Sequence, residues 1–342
     1  MVKTFFRWLI NLLAEKPLSV LRILLSFLLS LSIYKTTLSL NRIPNNNAYE
    51  LNKTWFMNLI PDCMLSFKDP DLIYWKTLII IVGIGAILGI AGRFCLFVLA
   101  TLTFIIFGAY EGVGSFDHQT SFLSQATFIL ALVPGSMHLS FDKLLGNFLK
   151  KRKGINVSST IDLKWGSNLL LILLIATYFT AGVSKIRFGG GSNYFDGQTI
   201  GFYIQDHTFE YPKGKQKIII GNSNNLEEKD KWKDKYGLQA YAYSNVQTSK
   251  SIRGLQEWLY YQPSILKAIT IVSLIFELIG FIVFFNSRYR NFYLAFAIIF
   301  HASIGALMGF TFFKFQLICF ILMDWNAIRD YLFSKKSKFL KL

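Results

Sequence analysis

The chain has 342 residues, of which 53% are hydrophobic, 16% aromatic and only 16% charged, with a mean hydropathy of +0.40. Soluble domains carry about 25% charged residues, so this composition excludes a conventional soluble enzyme and points to lipid as the solvent for much of the chain. The formal net charge of +16 does not signal nucleic acid, because the Lys and Arg residues sit mainly in loops between apolar runs, where they mark topology and attract anionic headgroups.

The first element, Thr4 to Glu15, is amphipathic, with Phe5, Trp8, Leu9, Leu12 and Leu13 toward one side. It reads as a helix lying in the membrane interface, and residues 1–17 form an interfacial segment ahead of an apolar run too long for a signal-peptide core. A spanning helix needs about 20 apolar residues. Runs of that kind occupy 18–40, 72–92, 94–110, 119–139, 167–185, 265–285, 292–308 and 310–325. The last two are nearly continuous, and charge separates them. With the N-terminus inside, the cytoplasmic segments hold Lys3, Arg7 and Lys16, then Arg93, then Lys143, Lys150, Lys151, Arg152, Lys153 and Lys164, then Arg288 and Arg290. The tail 326–342 adds Arg329, Lys335, Lys336, Lys338 and Lys341, so seventeen of the thirty-six basic residues lie inside. A single span over 292–325 would put that tail outside, against the positive-inside rule. A tight hairpin near Gly309 is therefore expected. The predicted fold is an all-α integral membrane bundle of about eight transmembrane helices, with both termini cytoplasmic.

Two outer loops are long, 41–71 and 186–264. The first contains the sequon Asn52-Lys53-Thr54, but the Asn- and Lys-rich composition looks bacterial, which argues against glycosylation. The second is charged over 206–250, with Gln216 to Ile220 readable as one short strand. The aromatic run Leu255 to Tyr261 leads into the sixth span and is expected on the interface. No repeat and no separate soluble domain is evident. Cys63, Cys95 and Cys319 form no spaced cluster, so neither a disulfide framework nor a metal site is predicted. Phe188-Gly189-Gly190-Gly191 lacks the Lys-Ser or Lys-Thr of a phosphate loop, and no hydrolase elbow is present.

Polar residues inside spans are expensive, at about 2.5–3.5 kcal/mol for a charge at mid-bilayer. Glu277 lies near the middle of the sixth span, where so short a side chain must be protonated, paired or facing a wet cavity. His301 lies within the seventh, with Gly305 one turn later. His118 opens the fourth span and Lys185 closes the fifth, both at the outer side. Each has a plain alternative: an interfacial histidine, a lysine snorkelling to headgroups, a helix–helix hydrogen bond. Haem ligation by His118 and His301 is a weaker one. One outward-opening cavity gathering all four is the sharper expectation.

These residues carry a resemblance. Tyr178-Phe179-Thr180-Ala181-Gly182-Val183-Ser184-Lys185, followed by Tyr194-Phe195-Asp196-Gly197-Gln198-Thr199-Ile200, resembles the hallmark of the HTTM family, the membrane module shared with vitamin K-dependent γ-glutamyl carboxylase. Asp117-His118-Gln119, Glu277, and His301 ahead of the aromatic stretch to Phe313 follow in matching order, over 18–325. The sequence departs at Ser184, where the carboxylase has a second lysine, and at Tyr194-Phe195, where many relatives have Trp. The resemblance implies that Lys185 is the base that deprotonates reduced vitamin K or a menaquinol, that His118 assists it, and that Glu277 and His301 belong to the cofactor pocket. It implies a quinol-using enzyme of the bacterial cell membrane, modifying a peptide or lipid-like substrate at the outer face. The expectation of another class is a non-enzymatic partner for maturation of, or immunity toward, a secreted peptide bound through 186–264. A transporter with Glu277 as proton carrier is weaker, since paired interrupted helices are not evident.

Overall fold

The computed structural model describes residues 2–42, 57–61, 65–111, 118–153, 165–188, 195, 197, 200–201, 204, 218–222, 238–242, 250–308 and 312–339. The sequon at Asn52, Cys63 and the turn at Gly309 fall outside them. Twelve helices are described. In chain order these are α1 (Val2–Glu15), α2 (Pro17–Arg42), α3 (Asp71–Leu88), α4 (Gly92–Glu111), α5 (His118–Leu132) and α6 (Phe141–Arg152). They continue as α7 (Trp165–Phe188), α8 (Lys250–Tyr260), α9 (Pro263–Leu278), α10 (Ser287–Met308), α11 (Phe313–Leu322) and α12 (Trp325–Phe339).

Among the described residues, five helices are long and apolar enough to cross a membrane: Pro17–Asn41, Asp71–Leu88, Gly92–Tyr110, Trp165–Arg187 and Ser287–Met308. A sixth candidate is the pair Ser251–Tyr260 and Pro263–Leu278, bent by 97°. Shorter apolar helices cover Ser121–Leu132 and Phe313–Leu322. Ile73, Ile80, Ile81, Ile84 and Leu88 of α3 are between 49% and 62% exposed, an apolar surface suited to contact with lipid. The protein is a multi-pass helical membrane protein.

The core forms around α2. Its Leu21, Leu25, Leu29 and Ile33 recur every fourth residue and are fully buried, together with Leu96, Leu99 and Ile106 of α4 and Leu123, Ala126 and Leu130 of α5. Helical periodicity places each set on one face, so burial follows from the spacing. At Gly83 a Cβ would stand 2.4 Å from Ser30 Oγ, so the glycine is what lets α3 approach α2 so closely.

Chain breaks have local causes. α3 ends at Gly89, whose φ of +70° and N–H to Gly85 O form a left-handed cap. α5 stops before Pro134, and Pro134–Met137 makes a short 3-10 turn. Ser140 then caps α6 by accepting from Lys143 N, and Lys150, Lys151 and Arg152 complement its C-terminus. Pro263 opens α9 after the bend. α10 and α11 are separate antiparallel helices, with Arg290 reaching Leu322 O at one end and Gln316 reaching Ile298 O further along. Outside the bundle, β1 (Ile218–Asn222) pairs antiparallel with β2 (Leu238–Ala242), Ile218 opposite Ala242. The single strand expected at 216–220 is thus shifted by two residues and has a partner in the same loop.

Candidate functional site

Three helical faces converge. On α7, Tyr178, Gly182 and Lys185 stand at i, i+4 and i+7 and therefore share one side. On α9, Leu266, Thr270, Ser273 and Glu277 repeat the same spacing, and all are buried. Thr270 and Ser273 donate to carbonyls of their own helix, so Glu277 is the one residue of that stripe that needs a partner elsewhere. On α10, Leu294, Ala297 and His301 form the matching buried face.

Gly182 brings α7 against α9. A Cβ there would lie 3.1 Å from Glu277 Cβ and 3.2 Å from Leu278 Cδ2. This approach seats Lys185 Nζ directly on Glu277 Oε1, an ion pair in which the carboxylate side chain is 5% exposed and the lysine 34%. The lysine thus joins a buried acid to a more open rim. Just past Glu277 the α-helix gives way to a 3-10 turn, Gly280–Phe284. There Gly280 is pressed between Ile175 and the Tyr293 hydroxyl, each within 2.9 Å of where a Cβ would be.

One turn deeper, the Tyr178 hydroxyl meets His301 Nε2 at 2.7 Å, with Cys319 Sγ at 3.9 Å. Aromatic rings close around them. Tyr178 packs edge-on against Phe276 and Phe315 at 5.1 and 5.8 Å, and His301 lies 4.6 Å from Phe312. Tyr293 stacks on Phe276 at 4.6 Å and donates to its carbonyl oxygen. Two buried polar atoms in this region have no hydrogen-bond partner among the described residues, Glu277 Oε2 and His301 Nδ1. If the phenol donates to Nε2, Nδ1 carries a proton and is an unused donor; in the other tautomer it is an unused acceptor.

Of the four residues predicted from the sequence, Lys185, Glu277 and His301 lie in this one region. His118 begins α5, and its side chain lies outside the described residues. The next turn of α5 reaches the cluster, since Phe122 packs 4.3 Å from Phe315. Lys185 therefore has a described partner in Glu277, whereas the expected pairing with His118 is not described. Sequence reading overlooked Tyr178 as a functional group, although it lies seven residues before Lys185 on the same helical face. It also passed over Arg22, a charged residue inside the first span. Among the described residues no three His, Cys, Asp or Glu side chains gather as a metal site would require. No family model, no curated protein and no solved structure matches this chain.

Proposed function

We propose that the chain is a membrane enzyme of the HTTM, vitamin K-dependent γ-carboxylase-like type, acting with a quinol at the outer face of a bacterial cell membrane. The observation that carries this reading is the Lys185–Glu277 pair standing beside an aromatic cluster that contains Tyr178 and His301. The chemistry of the cluster suits a flat hydroxylated ring: its side chains are largely aromatic, and Glu277 Oε2 and His301 Nδ1 are buried polar atoms without a partner among the described residues.

Bound reduced vitamin K or menaquinol would, together with dioxygen, supply the base strength needed to deprotonate the γ-carbon of a glutamyl side chain. The residues of the chain prepare and protect that chemistry. Lys185 accepts the ring hydroxyl proton at Nζ, with His118 assisting from the head of α5. An ion-paired lysine is an ammonium and cannot accept a proton. The pair's own proton must therefore first move to Glu277 Oε1, leaving neutral amine and neutral acid, a shift that displacement of water by a bound ring would favour. The Tyr178–His301 hydrogen bond fixes the imidazole, and Phe276, Phe300, Phe312 and Phe315 exclude water.

The eight-span arrangement with both termini cytoplasmic belongs to the same proposal. The five long helices and the bent pair account for up to six crossings, and the proposal adds the two shorter apolar helices, Ser121–Leu132 and Phe313–Leu322, as the remaining two. The excess of Lys and Arg then falls at the end of the bundle that carries α6 and α12. The test is direct. Purified protein is assayed for quinol oxidation and for carbon dioxide incorporation into glutamyl peptides, and Lys185→Ala abolishes both. An Ala variant equal to wild type in every activity found ends the proposal.

The β1–β2 ribbon favours a second reading. A two-stranded ribbon offers edges to which an extended peptide adds as a further strand, which suits a non-enzymatic partner of a secreted peptide. Deleting 206–250 then abolishes peptide crosslinking on intact cells while Lys185→Ala does not.

A further inference from the structure

At the opposite end of the bundle from Lys185 lies a groove of about 450 Å³ between the α3–α4 turn and α6, lined chiefly by Arg93, Phe94, Met137, Ser140, Asp142 and Lys143. Gly166 packs against Val133 at this end, which puts the groove about 30 Å along α7 from Lys185. Its polar groups are not equally available. Asp142 spends both oxygens on backbone N–H groups, accepting from Ala91 at 3.0 Å and Gly92 at 2.8 Å. Ser140 donates to Met137 O and accepts from Lys143 N. Among the described residues, Lys143 Nζ meets an imidazole nitrogen, His138 Nδ1 at 2.6 Å, which orients the ammonium without adding negative charge. Arg93 is exposed beside it. The groove therefore presents two cations.

Next to it, α6 keeps an apolar side that the protein does not cover. Phe141, Leu144, Leu145, Phe148 and Leu149 recur at i, i+3, i+4, i+7 and i+8 and are 46% to 69% exposed, and no residue of the helix is buried. Lys150, Lys151 and Arg152 follow in its last turn. A helix with one apolar side and a basic remainder lies flat in the interface of a bilayer. That depth puts the groove among headgroups, with the exposed ring of Phe94 pointing the way to the acyl region.

We propose that this groove binds the headgroup of an anionic phospholipid, with Arg93 and Lys143 holding its phosphate, Phe94 and Met137 receiving the glycerol and upper acyl portion, and α6 lying in the same leaflet. The site is independent of the chemistry at Lys185. Paired cations alone would suit any phosphate; the uncovered apolar side of α6 and the exposed Phe94 select the lipid.

The experiment uses the full chain in phosphatidylcholine vesicles containing trace spin-labelled phosphatidylglycerol or spin-labelled phosphatidylcholine. The protein-associated fraction of each label gives the relative association constant. Wild type prefers phosphatidylglycerol, and the double variant Arg93→Gln/Lys143→Gln lowers that preference by about tenfold or more. The control Lys150→Gln/Lys151→Gln removes as much charge from the same region but spares the groove, and it retains most of the preference. Equal losses in the two double variants reduce the effect to general surface charge and overturn the proposal. An unchanged preference in the groove variant also overturns it, as does full displacement of the label by a matched concentration of inorganic phosphate.

Discussion

Lys185 Nζ and Glu277 Oε1, 92 positions apart in sequence, are in direct contact between α7 and α9, and the acid is the more deeply buried of the two. That asymmetry sets the outcome of breaking the pair. Lys185→Met leaves a carboxylate with no partner on either oxygen in a place 4% exposed, and costs about 3 kcal/mol. Glu277→Gln costs less, about 1 kcal/mol, because the lysine is a third exposed and can turn outward to headgroups. The double variant Lys185→Met/Glu277→Leu recovers most of the loss, since no charge is then stranded. Thermal unfolding in detergent micelles checks all three; strictly additive losses would show that the two side chains do not act as partners.

The hydrogen bond between Tyr178 and His301 makes a second, separable prediction. Tyr178→Phe keeps the ring that packs on Phe276 and Phe315 but leaves His301 Nε2 without a partner beside an Nδ1 that already lacks one. The cost is about 1–3 kcal/mol. Replacing His301 by Leu in the same background removes the orphaned nitrogens, and the double variant is more stable than Tyr178→Phe alone. In any activity that depends on Lys185, Tyr178→Phe lowers turnover, because the imidazole loses the contact that fixes its orientation. A Tyr178→Phe protein with unchanged melting temperature would remove the hydrogen bond from the account.

Much of the fold was legible because span length and apolar periodicity are local properties. Each apolar run read from the chain coincides with a described helix, and the charge argument for splitting 292–325 agrees with separate α10 and α11. The two misplaced ends have different causes. The runs 119–139 and 265–285 finish in 3-10 turns at Pro134–Met137 and Gly280–Phe284, one set by a proline and the other by crowding from Ile175 and Tyr293. The crowding is a tertiary effect that no window of sequence contains. The site was legible as a list of costly residues, but not as pairs. Hydropathy marks Glu277 as needing a partner without saying that Gly182 clears the space through which Lys185 supplies it. Arg22 is as costly a residue as Glu277, but its place near the start of a long apolar run hides it from a reading by hydropathy.

Arg22 is completely buried and lends its guanidinium to four backbone carbonyls: Ser136 through Nε, Ala86 and Ile87 through one terminal nitrogen, and Leu139 through the other. It thereby ties the C-terminal end of α3 to the turn before α6. A lysine has one point charge and no planar fork, so Arg22→Lys reaches at most part of this set and costs about 2–3 kcal/mol. The neighbouring Gly89 is as constrained. Its φ is +70°, and a Cβ would stand 2.3 Å from Ser140 Cβ and 2.9 Å from Ser140 Cα. Gly89→Ala therefore combines left-handed strain with a clash against backbone and costs at least about 2 kcal/mol. Both variants lower the melting temperature in detergent micelles, and an unchanged melting temperature in either would remove that contact from the account.

Asp324, between α11 and α12, governs acid sensitivity at the other junction of the same end. Burial works against its carboxylate. The Ser287 hydroxyl at 2.5 Å, the backbone N–H of Ala327 at 3.1 Å, the charge of Arg290 and the N–H of Asn326 outweigh burial and hold the group below its ordinary value. A carboxylate depressed in this way binds its proton more weakly in the folded state than in the unfolded one. Its contribution to stability is complete above the unfolded value of about 4 and disappears as the pH falls through the lower folded value. The junction of α10, α11 and α12 therefore loosens in acid. Asp324→Asn should be less stable than wild type at neutral pH, and the difference should shrink progressively below about pH 4. Melting temperatures of the two proteins across that range check the prediction, and a gap that stays constant into acid would assign the effect to the side-chain amide's geometry instead of to the charge.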